Sequence, residues 1–131
     1  MHGFTDVDRQ SNPDSWVGVL DRLTQEPFYQ AYQQRVRELL QPVPGRRYVD
    51  VGAGTGASAA TLKDDHGASV ATVDSSLTMA AATRARGVTQ CTVADAHHLP
   101  FLDNSFDGAW ADRTLQHLAD PQAAIKELIR V

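Results

Sequence analysis

Three short stretches hold side chains whose types and spacing could do chemistry together. They are Asp50-Val51-Gly52-Ala53-Gly54-Thr55-Gly56, then Asp74, 20 residues beyond Gly54, and then Asp95 followed by Ala96. Glycines let a backbone turn sharply and approach a ligand with no Cβ in the way. A helix starting after such a turn presents unpaired N–H groups and a partial positive charge, which suit a carboxylate or a phosphate. A carboxylate at position 74 can accept hydrogen bonds from both hydroxyls of a ribose. One at position 95 can accept from an exocyclic amine while the Ala96 N–H meets a ring nitrogen. Each group also has a plainer reading, because a sharp turn needs glycine with or without a ligand and Asp is a good helix N-cap. One adenosine-containing ligand shared by three successive strand ends accounts for all of them at once.

The elements that must position these groups can be read from periodicity and breakers. Arg47 to Val51 runs into the glycine cluster as a strand, Ser69 to Asp74 is a β-branched run, Val88 to Asp95 a third strand and Phe106 to Asp112 a fourth. Helix-compatible sequence lies between them. Thr55 to Lys63 is Ala-rich with Gly67 as its stop, Ser75 or Ser76 can cap a helix through Arg86, and Asp120-Pro121 opens a helix running to Val131. Upstream, Val19, Leu20 and Leu23, then Phe28, Tyr32, Val36, Leu39 and Leu40, recur at helical intervals on either side of Pro27, predicting two short helices. Residues 1–15 have no apolar period and read as a flexible leader, leaving residues 16–131 as one domain. Alternating strands and helices with near-continuous apolar strands predict an α/β fold, a parallel sheet with helices on both faces.

With those motifs in order, the chain resembles the class I S-adenosylmethionine-dependent methyltransferases. Val49 to Gly56 resembles their first motif, Val73-Asp74-Ser75-Ser76-Leu77-Thr78-Met79 the second, Ala94-Asp95-Ala96-His97-His98-Leu99-Pro100-Phe101 the third, and Ser105 to Asp112 the strand that follows. Within that family the chain resembles the broad small-molecule branch that includes the quinone-biosynthesis methyltransferases. The resemblance implies a Rossmann-like fold with S-adenosylmethionine as cofactor. It assigns the methionine end to Asp50, Gly52, Ala53 and Gly54 with a backbone contact from Ala111, and the ribose to Asp74 with Ser75 beside it. Met79 and Ala96 would flank the adenine, and Asp95 would meet its amine. Apart from the resemblance, Trp16, Phe28, Tyr29 and Tyr32 on the N-terminal helices could form an aromatic lid that attracts the sulfonium, Tyr29 or Tyr32 first among them, or could simply anchor those helices to the core. His117 is the candidate general base, with a structural role in its turn as the alternative.

Members of that family continue for three more strands, so the resemblance also implies an incomplete domain whose fourth strand is an open edge. Such an edge is expected to pair with another copy or a partner chain. Three functions follow: methyl transfer to a small-molecule acceptor, with competence dependent on the missing strands; a cofactor-binding non-catalytic subunit; or an NAD-dependent oxidoreductase fragment. The last arises because Gly52 to Ala57 also fits the dinucleotide pattern.

Composition narrows the classes further. A net charge of −4 over 131 residues gives no basic footprint for nucleic acid. No run approaches the roughly 18 apolar residues of a membrane span, and the polar N-terminus lacks a signal-peptide core, so a cytoplasmic location is expected. The one cysteine, Cys91, is expected to be a buried reduced thiol. His97 and His98 are adjacent and read as an exposed loop rather than a metal pair; no metal is expected.

Overall fold

The computed structural model describes Phe4 and residues 6–131. Strands β1 (Arg47–Val51), β2 (Ser69–Asp74), β3 (Gln90–Val93) and β4 (Gly108–Trp110) form a parallel sheet in the order β3-β2-β1-β4. Helices α1 (Pro13–Thr24) and α2 (Pro27–Leu40) precede β1, α3 (Ala57–His66) joins β1 to β2, α4 (Leu77–Ala85) joins β2 to β3, and α5 (Pro121–Arg130) follows β4. The chain has the Rossmann-like α/β fold that its pattern predicts.

Side-chain alternation divides the core. Val49 and Val51 of β1, with Ala71 and Val73 of β2, face α5 through Ala124. Tyr48 and Val70 point the other way, onto Ala59 and Leu62 of α3 and Val36 and Leu40 of α2. This period of two gives each strand two buried faces, as a sheet covered on both sides requires. The register sets Asp50 beside Thr72 and Trp110, Val51 beside Val73, and Asp74 beside Val93, so the strands end along one rim. Because β4 lies on the other side of β1 from β2, the strand order reverses at β1, and a crevice opens there.

Local chemistry sets the helix ends. Pro13, Pro27 and Pro121 each stand at the start of a helix, where a missing N–H costs nothing, and the Asp120 carboxylate accepts from Ala123 N–H at 3.0 Å. Strands three and four are shorter than the runs 88–95 and 106–112 imply. Val88 is buried below the sheet beside α3 without pairing, and Asp95 folds back onto His97. Phe106 N–H donates to Val131 at the end of α5 instead of to a strand. Cys91 is half-buried and its thiol donates to the Val88 carbonyl at 2.7 Å.

Residues 6–15 depart from the leader expected over residues 1–15; Met1 to Gly3 and Thr5 lie outside the described residues. A 3-10 turn at Val7–Arg9 buries Val7, and α1 begins at Pro13. The Asp8 carboxylate caps the distant helix α4, accepting from Leu77 N–H at 2.6 Å, Thr78 N–H at 3.1 Å and Ser76 Oγ at 2.7 Å. Ser76 Oγ in turn accepts from Met79 N–H at 3.1 Å, so the first turn of α4 is satisfied by two side chains. At the other end of α4, Arg86 pairs with Asp21 of α1. Slight burial pushes the Asp8 carboxyl up, but its bonds from Ser76, Thr78 and Leu77 outweigh that and hold it at about 2, below its ordinary 3.8.

Asp8→Ala is expected to destabilise the fold by about 1–2 kcal/mol, the usual cost of a lost N-cap carboxylate, as read by urea unfolding at neutral pH. An acid whose pKa is depressed on folding contributes stability above its unfolded pKa and loses it as pH falls through the folded one. The difference between wild type and variant should therefore shrink as pH falls from 3.8 to about 2.

Candidate functional site

At the carboxyl rim, β1 passes into α3 through a loop whose glycines hold conformations other residues resist. Gly52 has φ 77°, and a Cβ there would lie 2.0 Å from Thr114 Oγ1, whose hydroxyl donates to Val51 O at 3.1 Å. Gly54 has φ 57° and donates its N–H to Asp74 Oδ2 at 2.9 Å. The other oxygen of Asp74 accepts from Ser76 N–H at 2.9 Å. One carboxylate thus ties the glycine loop to the start of α4, with lone pairs left for a ligand. Burial raises the Asp74 carboxyl above its ordinary range, against the pull of the Ser76 and Gly54 N–H bonds.

These groups surround a cavity of about 1370 Å³. Asp50, Gly52, Ala53, Gly54, Asp74, Ser75, Asp95, Ala96 and His117 all line it, so the glycine turn, the acids of β1 and β2 and the acid just beyond β3 share one space. Asp50 is buried, and burial, then the charges of Asp112 and Asp74, push its carboxyl well above the ordinary range. The N-terminus of α3, with Ala57 and Ser58 on the cavity wall, has no side-chain cap. From α1 and α2, Leu20, Leu23 and Tyr29 close the cavity from above the rim.

Three expected site residues stand elsewhere. Met79 is buried in the first turn of α4 and does not line the cavity, because its position on that turn points its side chain into the core. Ala111 alternates away from the cavity and packs with the α5 side of the core, while its neighbours Trp110 and Asp112 line the wall. Tyr32 is also off the cavity. Its hydroxyl bonds the Asp112 carboxylate from the outer side of α2, and Tyr29, three residues earlier on the helix, takes the lining position.

Asp112 is the main residue that sequence reasoning missed. It accepts from Tyr29, from Tyr32 and, at 2.5 Å, from Gln33 Nε2, and Gln33 Oε1 accepts from Ser58 Oγ at 2.8 Å. That chain fastens α2 to the ends of β4 and α3. Burial and then Asp112 push the Tyr32 phenol up to about 12, so it remains a donor. The Arg113 guanidinium covers the Tyr29 ring at 4.7 Å. The signal was present, since Asp112 ends the strand-like run 106–112 in the sequence as Asp74 ends the run 69–74. His97, read as an exposed loop residue, instead lines the cavity with a side chain only 19% exposed.

The chain is similar to known proteins. A family model described as a methyltransferase domain matches residues 49–131. Demethylmenaquinone methyltransferase of Corynebacterium kroppenstedtii is 40% identical over 100 residues, which are 76% of this chain and 43% of that one. Among solved structures, a SAM-dependent methyltransferase from Thermotoga maritima is 37% identical with a TM-score of 0.62, over 75% of this chain and 43% of that one. The cyclase SpnF is 32% identical with a TM-score of 0.73, over 79% and 40%. The chain spans about half the length of the curated relatives it matches. No helix among the described residues is long and apolar enough to cross a membrane. The match over residues 49–131, on a sheet whose strand ends converge at one cavity, settles the family: the chain belongs to the class I S-adenosylmethionine-dependent methyltransferases, whose cofactor is S-adenosylmethionine.

Proposed function

We propose that the rim cavity binds S-adenosylmethionine for methyl transfer to a small-molecule acceptor. The observation that carries this reading is the charge pattern of the cavity wall. An uncapped helix N-terminus at α3 suits a carboxylate, whereas the other nearby N-terminus, that of α4, is already closed by Asp8 and Ser76. Around the same space stand Asp50, Asp74 and Asp112, and the charges of Asp112 and Asp74 add to burial in raising the cost of ionising Asp50 until a cation joins it. A ligand with one carboxylate and two cationic centres, an ammonium and a sulfonium, fits that pattern. A dinucleotide, with its anionic diphosphate, fits it poorly.

In this proposal the α3 N–H groups hold the methionine carboxylate, Asp50 the ammonium, Asp74 the ribose hydroxyls, and Asp95 with the Ala96 N–H the adenine edge. When bound, the cofactor supplies a methyl carbon already activated by its sulfonium, and the protein contributes position and dehydration. A nucleoside-sized ligand leaves part of the cavity free, since pockets for single small ligands usually run to about 1000 Å³ or less. The remainder, toward Arg113, Gln116, His117 and Leu118, is where an acceptor would enter. His117 would take a proton from an acceptor whose nucleophile must be deprotonated. The identity with a quinone-biosynthesis enzyme supports a small-molecule acceptor, and the likeness to a cyclase shows that this fold also serves another reaction.

Calorimetry with S-adenosylmethionine, S-adenosylhomocysteine and NAD is expected to show binding of the first two only; preference for NAD would overturn the assignment. Ala57→Asp places an acid in the first turn of α3. It should weaken S-adenosylhomocysteine roughly tenfold or more by repelling the carboxylate, while leaving stability unchanged or higher by up to about 1 kcal/mol. Because the Asp50 carboxyl is raised and its ionised form is the one that pairs with an ammonium, affinity should strengthen as pH rises through its titration range. Asp50→Asn should bind more weakly and lose that dependence. A wild-type affinity indifferent to pH would count against the pairing.

A further inference from the structure

The Asp95 carboxylate is held through one oxygen only. Oδ1 accepts from the His97 backbone N–H at 2.9 Å and contacts the His97 ring at Nδ1 at 2.5 Å. The other ring nitrogen, Nε2, lies 3.1 Å from the Asp120 backbone N–H. An amide N–H can only donate, so Nε2 carries the lone pair, and the proton sits on Nδ1, where it is donated to Asp95. Both ring nitrogens are therefore engaged in a single neutral tautomer. Asp120 is itself fixed as the N-cap of α5 through Ala123 N–H. Among the described residues no donor reaches Asp95 Oδ2, and Asp95, Ala96 and His97 line the cavity together.

The Asp95 side chain is 60% exposed, so without the ring a single backbone N–H, that of His97, would be left to hold the carboxylate against solvent. An outer partner that fixes a ligating group in this way is a recognised means of raising selectivity, because the group need not be ordered again at binding. We propose that His97 is a specificity-determining positioning residue. By fastening Oδ1 it presents Oδ2 as the acceptor for the exocyclic amine of a 6-aminopurine, and the start of α5, through Asp120, sets the ring that does so. The proposal rests on the cavity being the S-adenosylmethionine site. It adds that discrimination for the amine depends on a residue that does not itself touch that amine.

The test compares S-adenosylhomocysteine with its 6-deamino analogue, in which hydrogen replaces the amine and the ring nitrogens are kept, by calorimetry on the full chain. Wild type is expected to prefer the amine by about tenfold or more, the worth of a hydrogen bond to a charged acceptor. His97→Ala should reduce the preference to about threefold or less while binding the deamino analogue within about twofold of wild type. His97→Asn, whose amide nitrogen can stand where Nδ1 stands, should restore most of the preference. If His97→Ala keeps the full preference, or weakens both ligands equally, the ring is ordinary loop support and the proposal falls. A wild type that binds both ligands equally would remove the Asp95 contact. One that binds neither would remove the cofactor reading beneath it.

Discussion

The two hydrogen bonds accepted by Asp74 join parts of the chain that would otherwise move separately. Through Gly54 N–H the carboxylate holds the turn after β1, and through Ser76 N–H the turn after β2. Parallel pairing of β1 with β2 brings the turns to the same rim, but pairing alone does not fix how they face each other. With Asp74 between them, the glycine loop is set against the end of β2, and Thr83 of α4 adds a bond to Gly54 O at 3.0 Å. The cavity wall is rigid where a cofactor would need it to be. That rigidity is bought with a buried carboxylate whose pKa is raised, a cost the two N–H groups offset only in part.

Electrostatics follow from the same geometry. Asp50 near the end of β1, Asp74 at the end of β2 and Asp112 just beyond β4 lie along one rim, so the register that makes a pocket also gathers like charges. Nearby cations do not cancel them fully. Arg113 lies 3.7 Å from Asp112 but spreads its guanidinium over Tyr29. In the proposed reading this wall receives an incoming positive group, which the diphosphate of a dinucleotide would not supply.

Much of this was legible in the sequence, and the reasons are local. β-branched runs that end in glycine or an acid mark strands and their carboxyl ends, so Asp50, Gly54, Asp74 and Asp95 could be placed on one rim from their spacing. Residues carried over by resemblance fared less evenly, because resemblance gives a position and not the rotation of the side chain there. Met79 and Ala111 each lie beside a lining position, turned away from it, as does the lid candidate Tyr32. Asp8 carried no local signal at all, since its partners lie 68 to 70 residues further along. His97 was misread for a related reason, its second partner being Asp120, beyond β4.

The bond network at Asp8 bears on the order in which the chain can assemble. Its acceptor groups emerge early in synthesis, but the N–H groups they bind do not exist as a helix end until α4 has formed against β2 and β3. The strap formed by residues 6–12 can therefore cap α4 only after that helix exists, a loop closure over 68 to 70 residues. With Val7 as its one buried side chain, the strap can open without unfolding the sheet. Hydrogen exchange in the first turn of α4 should then be set by release of the strap, with the sheet beneath remaining closed.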